Sequence, residues 1–276
     1  CSSPYFMSDK FLDVEKIIAD KNPKVLKWIP GKLLSYIKRI LHQNELNSIL
    51  KEFENLKGVD FCTAVLERFN ISVEVSGLEN IPKEGGVVFA GNHPFGGLEA
   101  LAHVQAIFPI RPDIKFVVND ILLSIKNLKD LLVGVNKHGA TASEVVKQMN
   151  ALFGSDHAVF IYPAGLVSRR INGNVQDLDW KKTFVSRSKR FESQVVPVWT
   201  GGAQLSPFFY NLSNFRTGLG VKANVEMFYL VNEMMKQKNS TFKIVFGEPI
   251  PTETFDRSRT DQEWTEWVRE KVYTLQ

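Results

Sequence analysis

The sequence predicts an α/β protein, with a mixed, largely parallel sheet flanked by helices and a helical N-terminal subdomain ahead of it. Three observations carry that expectation. From residue 71 onward, short β-branched and aromatic runs alternate with stretches of helical period, the texture of strands joined by helical crossovers. The first 70 residues carry apolar side chains at three-and-four spacing and no strand-like run, which is helical patterning. The chain has 276 residues, 44% of them hydrophobic and 23% charged, enough for a sizeable core and far from a disordered or collagen-like composition.

Along the chain, Val25, Leu26, Ile29, Leu33, Leu34, Ile37, Ile40 and Leu41 mark a helical stretch. Pro30-Gly31 breaks it into two helices, because proline removes a backbone donor. Helical patterns continue over 45–57 and 59–69, so residues 1–57 are expected as a helical N-terminal segment and 58–276 as the α/β domain. Strands are expected at Ile71–Val75, Val87–Ala90, Lys115–Val118, Val159–Tyr162, Val195–Trp199, Glu226–Leu230 and Phe242–Phe246, with helices near 97–108, 140–153, 179–190 and 261–274. The uncharged run Gln194–Asn214 holds Pro197, Gly201, Gly202 and Pro207 and reads as strand and loop, not as a membrane span. The opening residues lack the basic and apolar regions of a secretory signal. Two cysteines, Cys1 and Cys62, make neither a disulfide framework nor a zinc pattern, and a reducing compartment is expected.

Charge is unevenly placed. Residues 21–44 hold Lys21, Lys24, Lys27, Lys32, Lys38 and Arg39 with no acid, which leaves the rest of the +4 chain at −2. With Trp28, Tyr36 and the leucines between them, these cations make up an interfacial helix, and Lys24, Lys27, Trp28 and Lys32 are its expected contacts with an anionic membrane surface. A core-packing helix with a solvated basic face would carry the same pattern. No nucleic-acid motif accompanies the charge, so nucleic acid is not an expected partner.

Ligands of such sheets bind where strands end. Strand Val87–Ala90 runs into Gly91-Asn92-His93-Pro94-Phe95-Gly96-Gly97-Leu98-Glu99 and then a helix. His93 is thereby delivered to a strand's carboxyl end, with Glu99 in the first turn of the helix. An imidazole oriented by a carboxylate is a general base, and N–H groups around Gly96-Gly97 or Gly165 suit an oxyanion. A glycine-rich turn with a capping Glu and an incidental His would leave the same letters. His103, four residues after Glu99, is expected to make a local helix contact with it. At the end of strand Val159–Tyr162 come Pro163-Ala164-Gly165 and then Ser168, Arg169 and Arg170. Their cationic forks can clamp an anion bidentately, and the alternative is a solvated basic turn. Lys181, Lys182, Arg187, Lys189 and Arg190 read as a solvated helix face, with Lys181 and Lys182 the two that could also bind substrate. Asn119-Asp120 is a helix cap by default and a second-tier site candidate. His42, His138 and His157 have no ligand spacing, so no metal and no cofactor is expected. Neither a P-loop, nor a dinucleotide fingerprint, nor Gly-x-Ser-x-Gly is present.

Asn92-His93 followed by an acid, Tyr162-Pro163-Ala164-Gly165-Leu166-Val167-Ser168-Arg169-Arg170, Val195-Val196-Pro197-Val198 and Gly247-Glu248-Pro249-Ile250 together resemble the motifs of the glycerolipid acyltransferases, the lysophosphatidic acid acyltransferase superfamily. With Trp180-Lys181-Lys182-Thr183-Phe184 they are more specifically similar to its hemolysin-like bacterial branch, which includes O-acyltransferases of ornithine and glycine lipids. The chain departs from the pattern in having Glu99 in place of Asp, with five residues intervening after His93 instead of four, and Ala164 in place of Glu. The resemblance implies an O-acyltransferase that moves a fatty acyl group from a thioester, on acyl carrier protein or coenzyme A, to the hydroxyl of a lysophospholipid or lyso-aminolipid acceptor. His93 would be the base and Glu99 its orienter, while Ser168, Arg169 and Arg170 would hold an acidic head group. Such an enzyme is expected in the cytoplasm, peripheral on the inner face of the membrane. The alternatives on the same fold are a non-catalytic lipid- or carrier-binding protein and a thioesterase or lipase.

Overall fold

The computed structural model describes residues 13–21, 23–118, 120–134 and 141–276; Asn119 and His138, singled out above, lie outside them. Helices α1 (Val14–Lys21), α2 (Pro23–Trp28), α3 (Gly31–Ile40), α4 (Gln43–Glu52) and α5 (Gly58–Arg68) come first, and the break between α2 and α3 falls at Pro30, whose backbone is extended. The α/β part then runs β1 (Ser72–Ser76), β2 (Val87–Gly91), α6 (Gly97–Ile107), β3 (Lys115–Val118), β4 (Leu132–Gly134), α7 (Ala142–Phe153), β5 (Ala158–Ile161), β6 (Arg169–Ile171), β7 (Asn174–Gln176), α8 (Thr183–Phe191), β8 (Gln194–Gly201), α9 (Pro207–Gly218), α10 (Leu230–Met235), β9 (Thr241–Phe246) and α11 (Asp261–Tyr273).

Seven strands form one sheet in the order β1-β9-β8-β2-β5-β3-β4, and β6 and β7 form a separate antiparallel hairpin. Every pairing in the large sheet is parallel except β8 with β9. The α/β expectation therefore holds. All five residues of β2 are buried, as a parallel strand covered on both faces requires. The period-two alternation divides them: Val87 and Phe89 join the cluster built with α5 and α6, and Val88 and Ala90 join the one built with α7, α8 and α11. Phe89, Phe116 and Phe160 lie face to face across three neighbouring strands, with centroids 6.1 and 4.9 Å apart. Ile49 of α4 belongs to the first cluster, which ties the leading helices to the sheet.

Three expectations are corrected. Glu226–Leu230 is not a strand but a 3-10 turn (Val225–Tyr229) leading into α10. Its aromatic and β-branched letters suggest extension, but Glu226 is fully buried between two arginines, and that pairing needs a compact turn. Residues 207–214, read as loop, are helical. Ser206 and Pro207 take the N-cap and first-turn positions of α9, where proline's missing donor costs nothing. Helix α8 begins at Thr183, later than the pattern from 179 suggests.

Candidate active site

The site lies at the carboxyl ends of β2, β5 and β8, which adjoin in the sheet. Beyond Gly91, Asn92 continues the ladder with its side chain: its Nδ2 donates to the carbonyl of Thr200 at 2.9 Å, and its Oδ1 accepts the Thr200 N–H at 2.7 Å. This amide clamp holds the backbone just before His93 against β8. Gly96, at φ 93° and ψ −137°, then takes a conformation closed to other residues, and α6 starts at once.

The turn brings Glu99 back onto His93. Nδ1 of His93 is hydrogen-bonded to Oε1 of Glu99, and the other carboxylate oxygen accepts the Phe95 N–H at 2.5 Å. The extra residue between His and acid is thus absorbed within the turn, and the pair forms. Glu99 is fully buried, which raises its pKa, while His93 pulls the other way. A carboxylate on Nδ1 sets the tautomer, so the lone pair sits on Nε2. The imidazole is 17% exposed, and its Nε2 has no protein partner among the described residues. The ring of Tyr162 stacks on it, centroid to centroid 4.1 Å.

His103 does not contact Glu99, contrary to the expectation of a local helix pair. Burial and the charges of Glu99 and Asp177 keep the Tyr162 hydroxyl protonated. That hydroxyl bonds His103 Nδ1 at 2.9 Å, and His103 Nε2 bonds Thr200 Oγ1 at 2.8 Å. Burial, then the neighbouring His93 charge, push the His103 pKa down to about 3, so the ring is neutral. The unfolded chain, with an ordinary value of 6.5, binds more protons than the folded chain between those limits. This contribution to stability is complete above about pH 6.5 and is lost as the pH falls toward 3. The advantage of the parent over His103→Gln should therefore shrink by about 1.4 kcal/mol per pH unit between pH 6 and 4. Urea unfolding at several pH values measures it, and a constant gap would refute it.

Sequence reasoning missed Asp177. Fully buried, it accepts the backbone N–H of His93 at 3.1 Å, the Ser168 hydroxyl at 2.5 Å and Trp180 Nε1 at 2.8 Å. Ser168 N–H in turn donates to the His93 carbonyl at 2.7 Å. Two loops far apart in sequence are zipped together at the catalytic candidate by one carboxylate, whose pKa burial raises. A signal was present: Asn172-Gly173, both at positive φ, are a strong hairpin turn. The β6–β7 hairpin that they close carries the chain back so that Asp177 meets the loop it left. Ala164, where the family pattern has an acid, packs in the apolar cluster with Trp180 and Phe184, and the loop's buried carboxylate is Asp177.

The structure also places the remaining candidates. Gly165 stands at φ 70°, but its N–H is taken by the Tyr162 carbonyl at 3.0 Å. The Ser168 hydroxyl and N–H are both used as described, so neither residue has a donor left for an oxyanion. Gly96 and Gly97 do, because the first N–H groups of a helix have no partner within it. Arg169, 3% exposed, is not a free fork. It donates to Glu226 Oε1 at 2.8 Å and to the Val167 carbonyl, and it lies over the Phe209 ring. Arg216 meets the other oxygen of Glu226 at 2.9 Å. Arg170 is half-buried, its guanidinium 4.8 Å from the centre of the Tyr210 ring. Lys24, Lys27, Trp28 and Lys32 are exposed on α2 and α3, and α3 buries no residue at all.

A family profile described as Acyltransferase matches residues 16–276. The chain is 45% identical to a lyso-glycine lipid O-acyltransferase of Bacteroides thetaiotaomicron over 96% of its length and 97% of the relative's. It is 41% identical to a lyso-glycine lipid O-acyltransferase of Phocaeicola vulgatus over 96% and 95%. Among solved structures it matches the 1-acyl-sn-glycerophosphate acyltransferase PlsC of Thermotoga maritima, with a TM-score of 0.48 and 17% identity over 95% of this chain and 94% of that one.

Proposed function

Since this chain belongs to the acyltransferase family and is an O-acyltransferase acting on a lysolipid, we propose that its acceptor is a lyso-aminolipid of the glycine-lipid type and that His93 is its general base. The observation that carries the mechanism is the buried Glu99 carboxylate on Nδ1, which leaves a basic, accessible Nε2. Nε2 takes the proton of the acceptor's hydroxyl, and the oxygen attacks the carbonyl of a thioester on acyl carrier protein or coenzyme A. Negative charge develops on the carbonyl oxygen, opposite the N–H groups of Gly96 and Gly97 at the positive end of α6. Collapse breaks the carbon–sulfur bond, and the departing thiolate takes the proton from the imidazolium. No acyl-enzyme is required.

A glycine-derived head group ends in a carboxylate. With Arg169 committed to Glu226, Arg170 is the fork left to meet it, and Gly165 and Ser168 shape the loop that presents it. Residues 58–276 carry the chemistry, and Lys24, Lys27, Trp28 and Lys32 of the leading segment bring it to the anionic inner face of the membrane, where the acceptor resides. The relatives' names and the charge of residues 21–44 support this reading. The test is an assay of purified protein with a long-chain acyl thioester, first on acyl carrier protein and then on coenzyme A, offering lyso-glycine lipid or lysophosphatidic acid. The expected product is the diacylated glycine lipid. Acylation of lysophosphatidic acid alone would overturn the acceptor, and thioester hydrolysis with neither acceptor acylated would point to a thioesterase.

A further inference from the structure

Helix α9 is apolar on both sides. Phe209, Tyr210 and Ser213 are its buried face. On the opposite face stand Phe208, Phe215 and Leu219, spaced seven and eleven residues from the first, which is two and three helical turns along one stripe. A solvated helix carries polar groups there, yet Phe215 is 67% and Leu219 64% exposed. Past the helix, Val221 and Phe228 are exposed as well, Phe228 at 58%. This stripe adjoins the basic segment. Tyr229 bonds the hydroxyl of Tyr36 on α3 at 2.7 Å, Phe208 packs on the Tyr229 ring, and Asn232 bonds His42 at 2.9 Å. Most of the exposed large hydrophobic side chains among the described residues, Trp28, Leu33 and Tyr36 included, thus fall in two segments, 28–36 and 208–228.

We propose that α9 and the loop to Phe228 form a second membrane-docking element, whose Phe215, Leu219 and Phe228 side chains enter the acyl region of an anionic bilayer beside the basic helix. Charge identifies the occupant. Residues 207–228 contain one acid, Glu226, which is buried and paired with Arg169 and Arg216, so Lys222 is the cation this element adds; residues 21–44 contain six cations and no acid. The combined face is greasy and positive, which matches anionic lipid. A second copy of this chain, meeting the patch by a two-fold axis, would set those cations against themselves. The stripe is also continuous with the catalytic turn. Immediately after it, α10 lays Leu230 and Met234 over Gly96 and Gly97, so close that a Cβ on Gly96 would stand 3.3 Å from Leu230. Helix α10 thus lies between a lipid seated on α9 and the catalytic turn, and delivery past it to His93 is part of the proposal. That delivery rests on the acyltransferase reading above, but the docking does not.

The test is vesicle sedimentation with phosphatidylglycerol-containing vesicles across a salt series, comparing the parent, Phe215→Ser/Leu219→Ser/Phe228→Ser, and Lys27→Glu/Lys32→Glu. Salt screens the cations but not the apolar contacts. The parent should keep a salt-resistant fraction of binding, and the serine variant should lose it, with affinity at high salt falling roughly tenfold or more. The lysine variant should lose mainly the salt-sensitive part. Turnover of a short-chain, water-soluble acceptor, measured alongside, should stay within about twofold of the parent in the serine variant. If the serine variant binds at high salt as the parent does, or if the parent is a dimer that the serine variant makes monomeric, the docking proposal falls. If no acceptor is acylated by any of the three proteins while vesicle binding follows the expected pattern, the docking stands and the catalytic reading falls.

Discussion

His93→Ala is expected to lower kcat for acyl transfer by about 10²–10⁴ or more, the range associated with a lost general base, while the protein keeps its cooperative melt. Only Nδ1 of the ring is hydrogen-bonded to protein among the described residues, and the backbone of residue 93 stays held by Asp177 and Ser168. Removing the imidazole leaves Glu99 buried without its partner. Its already raised pKa lets it take up a proton, so the cost to stability is modest. Glu99→Gln should reduce kcat less than His93→Ala, because an amide can still bond Nδ1 but no longer stabilises the imidazolium. His103→Gln should reduce it least, since that ring touches His93 only through Tyr162. The measurement is steady-state turnover with a long-chain acyl thioester, backed by thermal melts of each variant. Undiminished turnover in His93→Ala would remove the base from the mechanism.

Glu226→Ala is expected to destabilise the fold by about 3–5 kcal/mol, the usual cost of removing one partner from a buried ion pair. Two guanidinium groups, Arg169 and Arg216, converge on this one fully buried carboxylate. Without it they repel each other in a site that water scarcely reaches. Arg169→Ala should be damaging for the mirror reason, since it strips Glu226 of a partner, so a higher acceptor KM in that variant would report folding and not recognition. Arg169→Met/Glu226→Leu should recover only part of the loss, because the two apolar groups need no partners but Arg216 is left without its carboxylate. Chemical denaturation of the three variants checks this, and a Glu226→Ala midpoint equal to the parent's would show that the pair contributes nothing. Head-group recognition is then tested at Arg170, where Ala should raise the acceptor's KM and leave the donor's unchanged.

The fold class and the centre of the candidate site are both legible in local sequence. Val87 to Glu99 is one local stretch of strand, turn and helix, and the proximity of His93 to Glu99 follows from helix and turn geometry within seven residues. The basic patterning of residues 21–44 is likewise written in the chain, as are the capping boxes that start α7 and α11. What those residues touch depends on how distant segments pack. Asp177 lies 84 residues from the backbone group it holds, Thr200 lies 97 from His103, and Glu226 lies 57 from Arg169. The order in which β2, β5 and β8 lie side by side creates the first two contacts, the packing of α9 and its following turn against β6 creates the third, and local periodicity carries no record of either. The same distinction explains the misplaced strand at Glu226–Leu230 and the misassigned Arg169. An arginine after a strand reads equally well as a substrate clamp or as an internal ion pair, because burial, which depends on everything packed around it, decides between them.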